Sequence, residues 1–352
     1  MSNLPLVDSH LDLAENATLF GRDLTLSAAE IREFEKRATR QATVSLPELE
    51  RGGLAVVFAT VTAGFLAEDV GEDFEPRSAI YRTPEEAEAQ ALSQIELYEG
   101  WEKQGRVRLL KSVNDLDYHL HLWQCDGKPG LVLLMEGADP IVHTRDLTGW
   151  WQRGLRIIGL TFGDTNYGTG VGGGSTTFKQ GGLTSKGFEL LGQMAELGFI
   201  WDISHLAEEG VWQGLDFGFP RVCASHANAR ALTPTDRHLS DGVIRAVAER
   251  DGVIGLILFN GFLEPRWKQD ESIPVTLNEH LRQHAKYVAG LSGWNHVGIG
   301  SDLDGGLGLE ESPSEVDTVA DLRKVGSVVP AEVKEAVLTN YLKTLAFGYD
   351  RR

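Results

Sequence analysis

Along this chain, short unbroken apolar runs alternate with segments of helical spacing. The first run, Leu4-Pro5-Leu6, leads into Val7-Asp8-Ser9-His10-Leu11-Asp12, where the two-residue period of an extended strand sets Asp8, His10 and Asp12 on one face. Ser27 caps a predicted helix over Ala28 to Phe34, charged on one side and apolar on the other. Gly53 to Val61 is a nearly continuous apolar run, as expected of a strand buried on both faces. The acidic, aperiodic stretch 63–82 reads as a long rim loop of the kind that frames a binding site. Thr83-Pro84-Glu85-Glu86 then opens a helix, with proline in its first turn and acids near the positive end of its dipole, that continues to about Gln104. Val107 to Leu110 reads as a short extra strand.

Buried strands follow at Gly130 to Glu136 and Leu155 to Thr161, and then a glycine-rich loop over 163–182 with neither a Walker nor a dinucleotide fingerprint. The remainder repeats one module. Helices at Ser185 to Leu197, after His205, at Ser240 to Arg250 and near Leu277 to Leu291 alternate with strands ending at His205, His226, Phe259 and Asp302, and Pro330 to Phe347 closes the chain as a helix. Eight principal strands alternate with helices and no composition break divides them, which predicts a single (β/α)8 TIM-type barrel domain over residues 1–352. A doubly wound open sheet has the same periodicity and remains the alternative.

Composition narrows the function. Of 352 residues, 42% are hydrophobic and 24% charged, enough for a large core and against disorder. The net charge of −18 repels nucleic acid and anionic membranes. Cys125 and Cys223 are far apart and form no C-x-x-C pair, so both read as small core residues rather than as a disulfide or thiolate site. No basic-then-apolar leader precedes Leu4 and no apolar run reaches the roughly 18 residues of a membrane span, so a cytoplasmic protein is expected.

In a barrel, the C-terminal ends of all strands open onto one rim. Here those ends carry His10 and Asp12, Glu136, His205, His226 and Asp302. Singly, each has an ordinary structural explanation: a turn cap, a first-turn acid, a half-buried histidine bonded to the backbone. Together, three histidines and three acids at one end of the strands are an inventory for metal. His10 with Asp12 suits one zinc-like ion and His205 with His226 a second, with the Glu136 carboxylate spanning both at a separation of about 3.5–4 Å. A hydroxide bridging two such ions is a nucleophile at neutral pH, and Asp302 is placed to take the water's proton and deliver it to the leaving group.

Several stretches carry a resemblance: His10-Leu11-Asp12, the Glu136 strand, Gly182-Leu183-Thr184-Ser185-Lys186-Gly187, Leu197 through His205, Ser225-His226-Ala227-Asn228-Ala229-Arg230 and Gly300-Ser301-Asp302-Leu303-Asp304-Gly305. They resemble the membrane dipeptidase (renal dipeptidase) family of the amidohydrolase superfamily, from Val7 to about Leu345. The resemblance implies a zinc metallopeptidase that hydrolyses dipeptides, including L,D-dipeptides. It implies two Zn2+ held by His10, Asp12, Glu136, His205 and His226, Asp302 as the proton shuttle, and a homo-oligomer such as a dimer. It also gives Arg237 the task of gripping the substrate's terminal carboxylate, for which a guanidinium fork is suited.

Two positions depart from the family's pattern. Phe162 follows Leu160-Thr161 where family members carry a histidine that helps polarise the scissile carbonyl, and His238 stands where they often have asparagine. Phenylalanine donates no hydrogen bond, and loss of one such donor costs on the order of 10²–10³ in rate. Either Asn166, Tyr167 or His143 substitutes, or the substrate is another small molecule: an N-acyl amino acid, a lactone or a biosynthetic intermediate. A third possibility, a barrel that binds without turnover, sits poorly with a retained shuttle acid at Asp302.

Overall fold

The computed structural model describes residues 4–36, 39–66, 80–172, 175–269 and 273–349. Eight strands build the sheet: β1 (Leu6–Leu11), β2 (Leu54–Thr62), β3 (Gly130–Glu136), β4 (Leu155–Gly159), β5 (Ile200–Asp202), β6 (Val222–Cys223), β7 (Ile254–Leu256) and β8 (Val297–Ile299). Strands β1 to β6 pair in parallel in sequence order, and β7 pairs in parallel with β8. A parallel bridge between Ala224 and Ile254 carries the sheet from β6 to β7. The expected short strand is present as Arg108–Leu109, at the side of β3.

The last seam, β8 to β1, closes with one backbone bond and three from side chains. Asp302 N–H donates to the His10 carbonyl at 3.3 Å. Ser301 N–H donates to Asp8 Oδ1 at 2.8 Å, the Ser301 hydroxyl donates to Asp8 Oδ2 at 2.5 Å, and the Ser9 hydroxyl donates to the Ile299 carbonyl at 2.8 Å. A side chain on Gly300 would crowd the Ser9 hydroxyl of β1 and collide with the Ser225 carbonyl that follows β6. The curled sheet is a (β/α)8 barrel of TIM type. Asp8, grouped with His10 and Asp12 by the sequence, belongs to this seam and not to the site above it.

Side chains sort by the strand period. Val132 and Leu134 on β3 pack with Phe58, Ile157, Ile200 and Tyr341 in an inner apolar cluster, while Leu131, Leu133 and Met135 face the outer shell. Glu136 continues the inner row at its open end, where the apolar filling stops. β5 and β6 each end three residues before the expected His205 and His226; there Asp202 Oδ1 accepts the N–H groups of Ser204 and Ser225, at 3.0 and 2.8 Å.

The helices follow their caps. Ser27 and Glu30 form a capping box on Ala28–Glu35, and Thr83 caps Pro84–Lys103. The helix foreseen near Leu277 begins as a five-residue π turn, Leu277–Leu281, before continuing as Arg282–Ser292. The closing helix is broken into Lys334–Thr339 and Tyr341–Tyr349. Of the acidic loop 63–82, residues 67–79 lie outside the described residues; its two ends pair as short parallel strands, Phe65–Leu66 and Ile80–Tyr81. Cys223 is buried as expected, whereas Cys125 is exposed near the end of the helix Val113–Asp126 and is not a core residue. No helix among the described residues is long and apolar enough to cross a membrane.

Candidate active site

His10 is the penultimate residue of β1, Asp12 stands at the start of the helix Leu13–Leu19, and Glu136 ends β3. His205 and His226 follow β5 and β6, and Asp302 follows β8. The fold brings all six together. Glu136 Oε1 is the hub, 3.4 Å from His10 Nε2, 3.2 Å from His205 Nε2 and 3.6 Å from His226 Nε2. His10 Nε2 is in turn 3.7 Å from Asp12 Oδ1 and 3.9 Å from Asp302 Oδ1. His205 and Asp302 both adopt positive φ, 62° and 58°, which turns each side chain inward from the strand end. A side chain on Gly305 would strike the Asp302 carboxylate, so the turn after β8 needs glycine there.

The backs of the imidazoles are tied down. His205 Nδ1 lies 2.9 Å from the Val171 carbonyl, which only accepts, so Nδ1 carries the hydrogen and Nε2 presents a lone pair. One hydroxyl does the same for the other two histidines. Ser225 Oγ is 3.2 Å from His10 Nδ1 and 2.8 Å from His226 Nδ1, and it donates its own hydrogen to Asp202 Oδ2. Its two lone pairs are thereby left for the two Nδ1–H groups, and both Nε2 atoms face the centre bare. Ser225→Ala is expected to loosen both rings and weaken metal affinity about 10–100-fold, as measured by competition with a chelating dye; unchanged affinity would remove this role.

Three observations test whether the donors fit metal. His10 Nε2 is buried with no hydrogen-bond partner. His205 Nε2 and His226 Nε2 face each other at 3.0 Å, a repulsive approach for two lone pairs unless a cation lies against them. The titrations agree. Burial pushes the Asp12 carboxyl up to about 6, with repulsion from Glu136 adding to it, and burial with the same neighbours lifts Asp302 well above the carboxylate range. Burial holds His226 well below its usual value and lowers His205. Burial would lower His10 too, but the surrounding Glu136, Asp12 and Asp302 carry it up to about 10. This cluster calls for positive charge. Clusters with ligand spacing are His10 with Glu136 and His226, and His10 with Asp12 and Asp302.

The cluster forms the floor of a cavity of about 350 Å³, whose walls include Glu15, Phe20, Phe162, Arg237 and Phe262. Arg237 is 3% exposed, and among the described residues neither Nη1 nor Nη2 has a partner. Phe162 stands edge-on to the His205 ring, with centroids 5.0 Å apart. Asn166 is not among the lining residues. Its backbone N–H and Nδ2 both donate to Asp139 Oδ1, at 2.8 and 3.1 Å. Tyr167 is held by the Ile141 carbonyl, and neither it nor His143 lines the cavity. No polar neighbour named in the sequence replaces the donor that Phe162 lacks. His238 is buried behind Arg237, with Nδ1 accepting the Asn228 N–H at 3.2 Å. Glu15, on the first helix after β1, lines the cavity without having been singled out; its position three residues past Asp12 was the available signal.

A parallel (β/α)8 barrel with histidines and carboxylates converging at the C-terminal ends of its strands defines a metal-dependent hydrolase. The family model described as membrane dipeptidase (peptidase family M19) matches residues 1–346, and the chain belongs to that family. A Klebsiella pneumoniae relative, an uncharacterized protein in the pqqA 5' region, is 32% identical over 227 residues, 63% of this chain and 79% of that protein. Two further relatives, both described as dipeptidases, are matched over 49% and 36% of their own length. Among solved structures, dipeptidase AC superposes with a TM-score of 0.78 at 23% identity, covering 99% of this chain and 100% of that one. A Rhodobacter sphaeroides metallopeptidase, liganded with a phosphinate mimic of the dipeptide L-Ala-D-Ala, gives 0.76 at 22% identity over 98% and 99% of the two chains. These structures share the fold.

Proposed function

We propose that the protein is a dipeptidase with two zinc ions, acting on dipeptides that include the L,D class. The observation that carries this reading is the Arg237 guanidinium, buried with both Nη atoms unpartnered among the described residues, on a side chain that lines the same cavity as the metal-type cluster. An unpaired buried cation awaits an anion, and in a dipeptide the carboxylate lies one residue from the scissile bond. His10 and Asp12 would hold one ion, His205 and His226 the other, and Glu136 both. Bound there, the ions supply a Lewis acid for the carbonyl and lower the pKa of water to about 7. Asp302 accepts the proton of the attacking water and passes it to the leaving nitrogen. Arg237 fixes the carboxylate and hence the register of the scissile amide. The chain acts as one barrel domain in this account, with its rim loops choosing among side chains, and as a cytoplasmic homodimer, a state that size-exclusion chromatography reads.

Arg237→Ala should cut kcat/KM about 10²-fold on substrates with a free carboxylate, mainly through KM, and far less on amidated ones; equal loss on both would defeat the assignment. Phe162 favours a second reading, hydrolysis of an N-acyl amino acid or a lactone, because this side chain, which donates no hydrogen bond, lines the cavity beside His205. Dipeptides assayed beside N-acyl amino acids and lactones decide between them.

A further inference from the structure

Glu15 is the one acid of the cavity that the proposed chemistry does not use. Its side chain is half-buried in the wall formed with Leu19, Phe20 and Leu307. Among the described residues, none donates a hydrogen bond to its carboxylate or pairs with it in a salt bridge. Arg40, the other charged residue of that wall, exerts its field on Glu311. Two buried acids elsewhere in the barrel are well bonded: Asp304 accepts from Thr43 N–H, Thr43 Oγ1 and Val44 N–H, and Asp8 from Ser301. Glu15 has been given no such partner, although it opens onto a cavity with room for a substrate.

Its place relative to Arg237 matters more. Glu15 and Arg237 line the same cavity, whose floor carries Asp12, Glu136, His205, His226 and Asp302. A dipeptide carries an ammonium, a scissile carbonyl and a carboxylate in that order, over a length of about 7 Å when extended. With its carboxylate on Arg237 and its carbonyl above the floor, its ammonium is left for the acid of the lining that the proposed chemistry does not use, Glu15.

We propose that Glu15 is a specificity-determining residue that receives the substrate's α-ammonium, so that the enzyme demands a free amino terminus as well as a free carboxylate. This rests on the dipeptidase reading and deepens it. It also separates dipeptides from N-acyl amino acids and lactones, which share the reacting carbonyl but carry no cation.

The test compares a dipeptide with its N-acetyl derivative on the wild-type enzyme and on Glu15→Gln and Glu15→Asp, with metal content and melting temperature recorded for each. The wild type should prefer the free amine. Glu15→Gln should shrink that preference about ten- to a hundredfold, chiefly through the KM of the dipeptide, and Glu15→Asp should keep part of it. An acid that only steadies the first helical turn predicts a lower melting temperature and equal loss on both substrates, and that result overturns the inference. So does a preference that survives Glu15→Gln while the wild type cleaves the dipeptide. A wild-type enzyme that cleaves neither peptide overturns the dipeptidase reading itself.

Discussion

Asp302→Asn is expected to lose about 10²–10⁴-fold in kcat while retaining its metal. Asparagine keeps the carbonyl oxygen and the size of the side chain, and it tolerates positive φ, so the 58° backbone at this position imposes no new strain. What it cannot do is take up a proton and return it. The substitution therefore isolates proton transfer from ligation, provided elemental analysis shows the same zinc content as the wild type. Burial lifts the Asp302 carboxyl well above the usual carboxylate range, and Asp12 and Glu136 add to it. Unchanged rates would take Asp302 out of the mechanism.

Glu136→Gln should have a comparable effect by another route. Its Oε1 is the atom that approaches all three histidine Nε2 positions, at 3.2 to 3.6 Å. On the two-ion reading proposed above, a glutamine there would lose the charge that neutralises the cations and would turn an N–H group toward one of them. About one of the two zinc equivalents should be lost on dialysis, with a fall in kcat/KM of roughly 10³, the scale of several kcal/mol of transition-state stabilisation. Retention of both ions with full activity would show that Glu136 is not the bridge.

The sequence made the strands legible because parallel strands are apolar on both faces, so runs such as Leu54–Thr62 and Gly130–Glu136 stand out without context. Their polar ends were legible for the same reason: an acid or histidine that ends an apolar run has no other way to be noticed. Less visible were elements whose apolar face is diluted. The helix Val113–Asp126 went unrecognised because its buried stripe is Leu116, His119 and Trp123, and the histidine, whose Nε2 lies 2.7 Å from the Ala55 carbonyl, reads as polar. Helix Leu46–Gly52 is short and contains proline, so its period never emerges.

Within the site, the groups that point at the centre were foreseen and the groups behind them were not. Ser225 was seen only as a neighbour of His226. That one hydroxyl serves both His10 and His226 depends on β1 and β6 approaching through the barrel interior, which no local pattern encodes. Asn166 looked available because its neighbours along the chain are small or polar; Asp139, from the segment after β3, claims it. Glu15 lies in the first turn of Leu13–Leu19, where an acid is ordinary, and its place in the cavity wall is visible only in the fold.

The seam between β8 and β1 has a consequence for how the protein is made. The partners Asp8 and Ser301 are 293 positions apart, and the His10 carbonyl and Asp302 N–H sit beside them. On the ribosome, the opening triplet leaves the exit tunnel long before the strand that completes its surroundings exists. A growing chain thus holds a histidine and an aspartate able to catch stray metal only weakly, and tight loading waits until synthesis has passed Asp302. On the metal reading proposed above, loading would in this way be timed by translation, and a polypeptide released early would carry the ligands of a pocket it can never close.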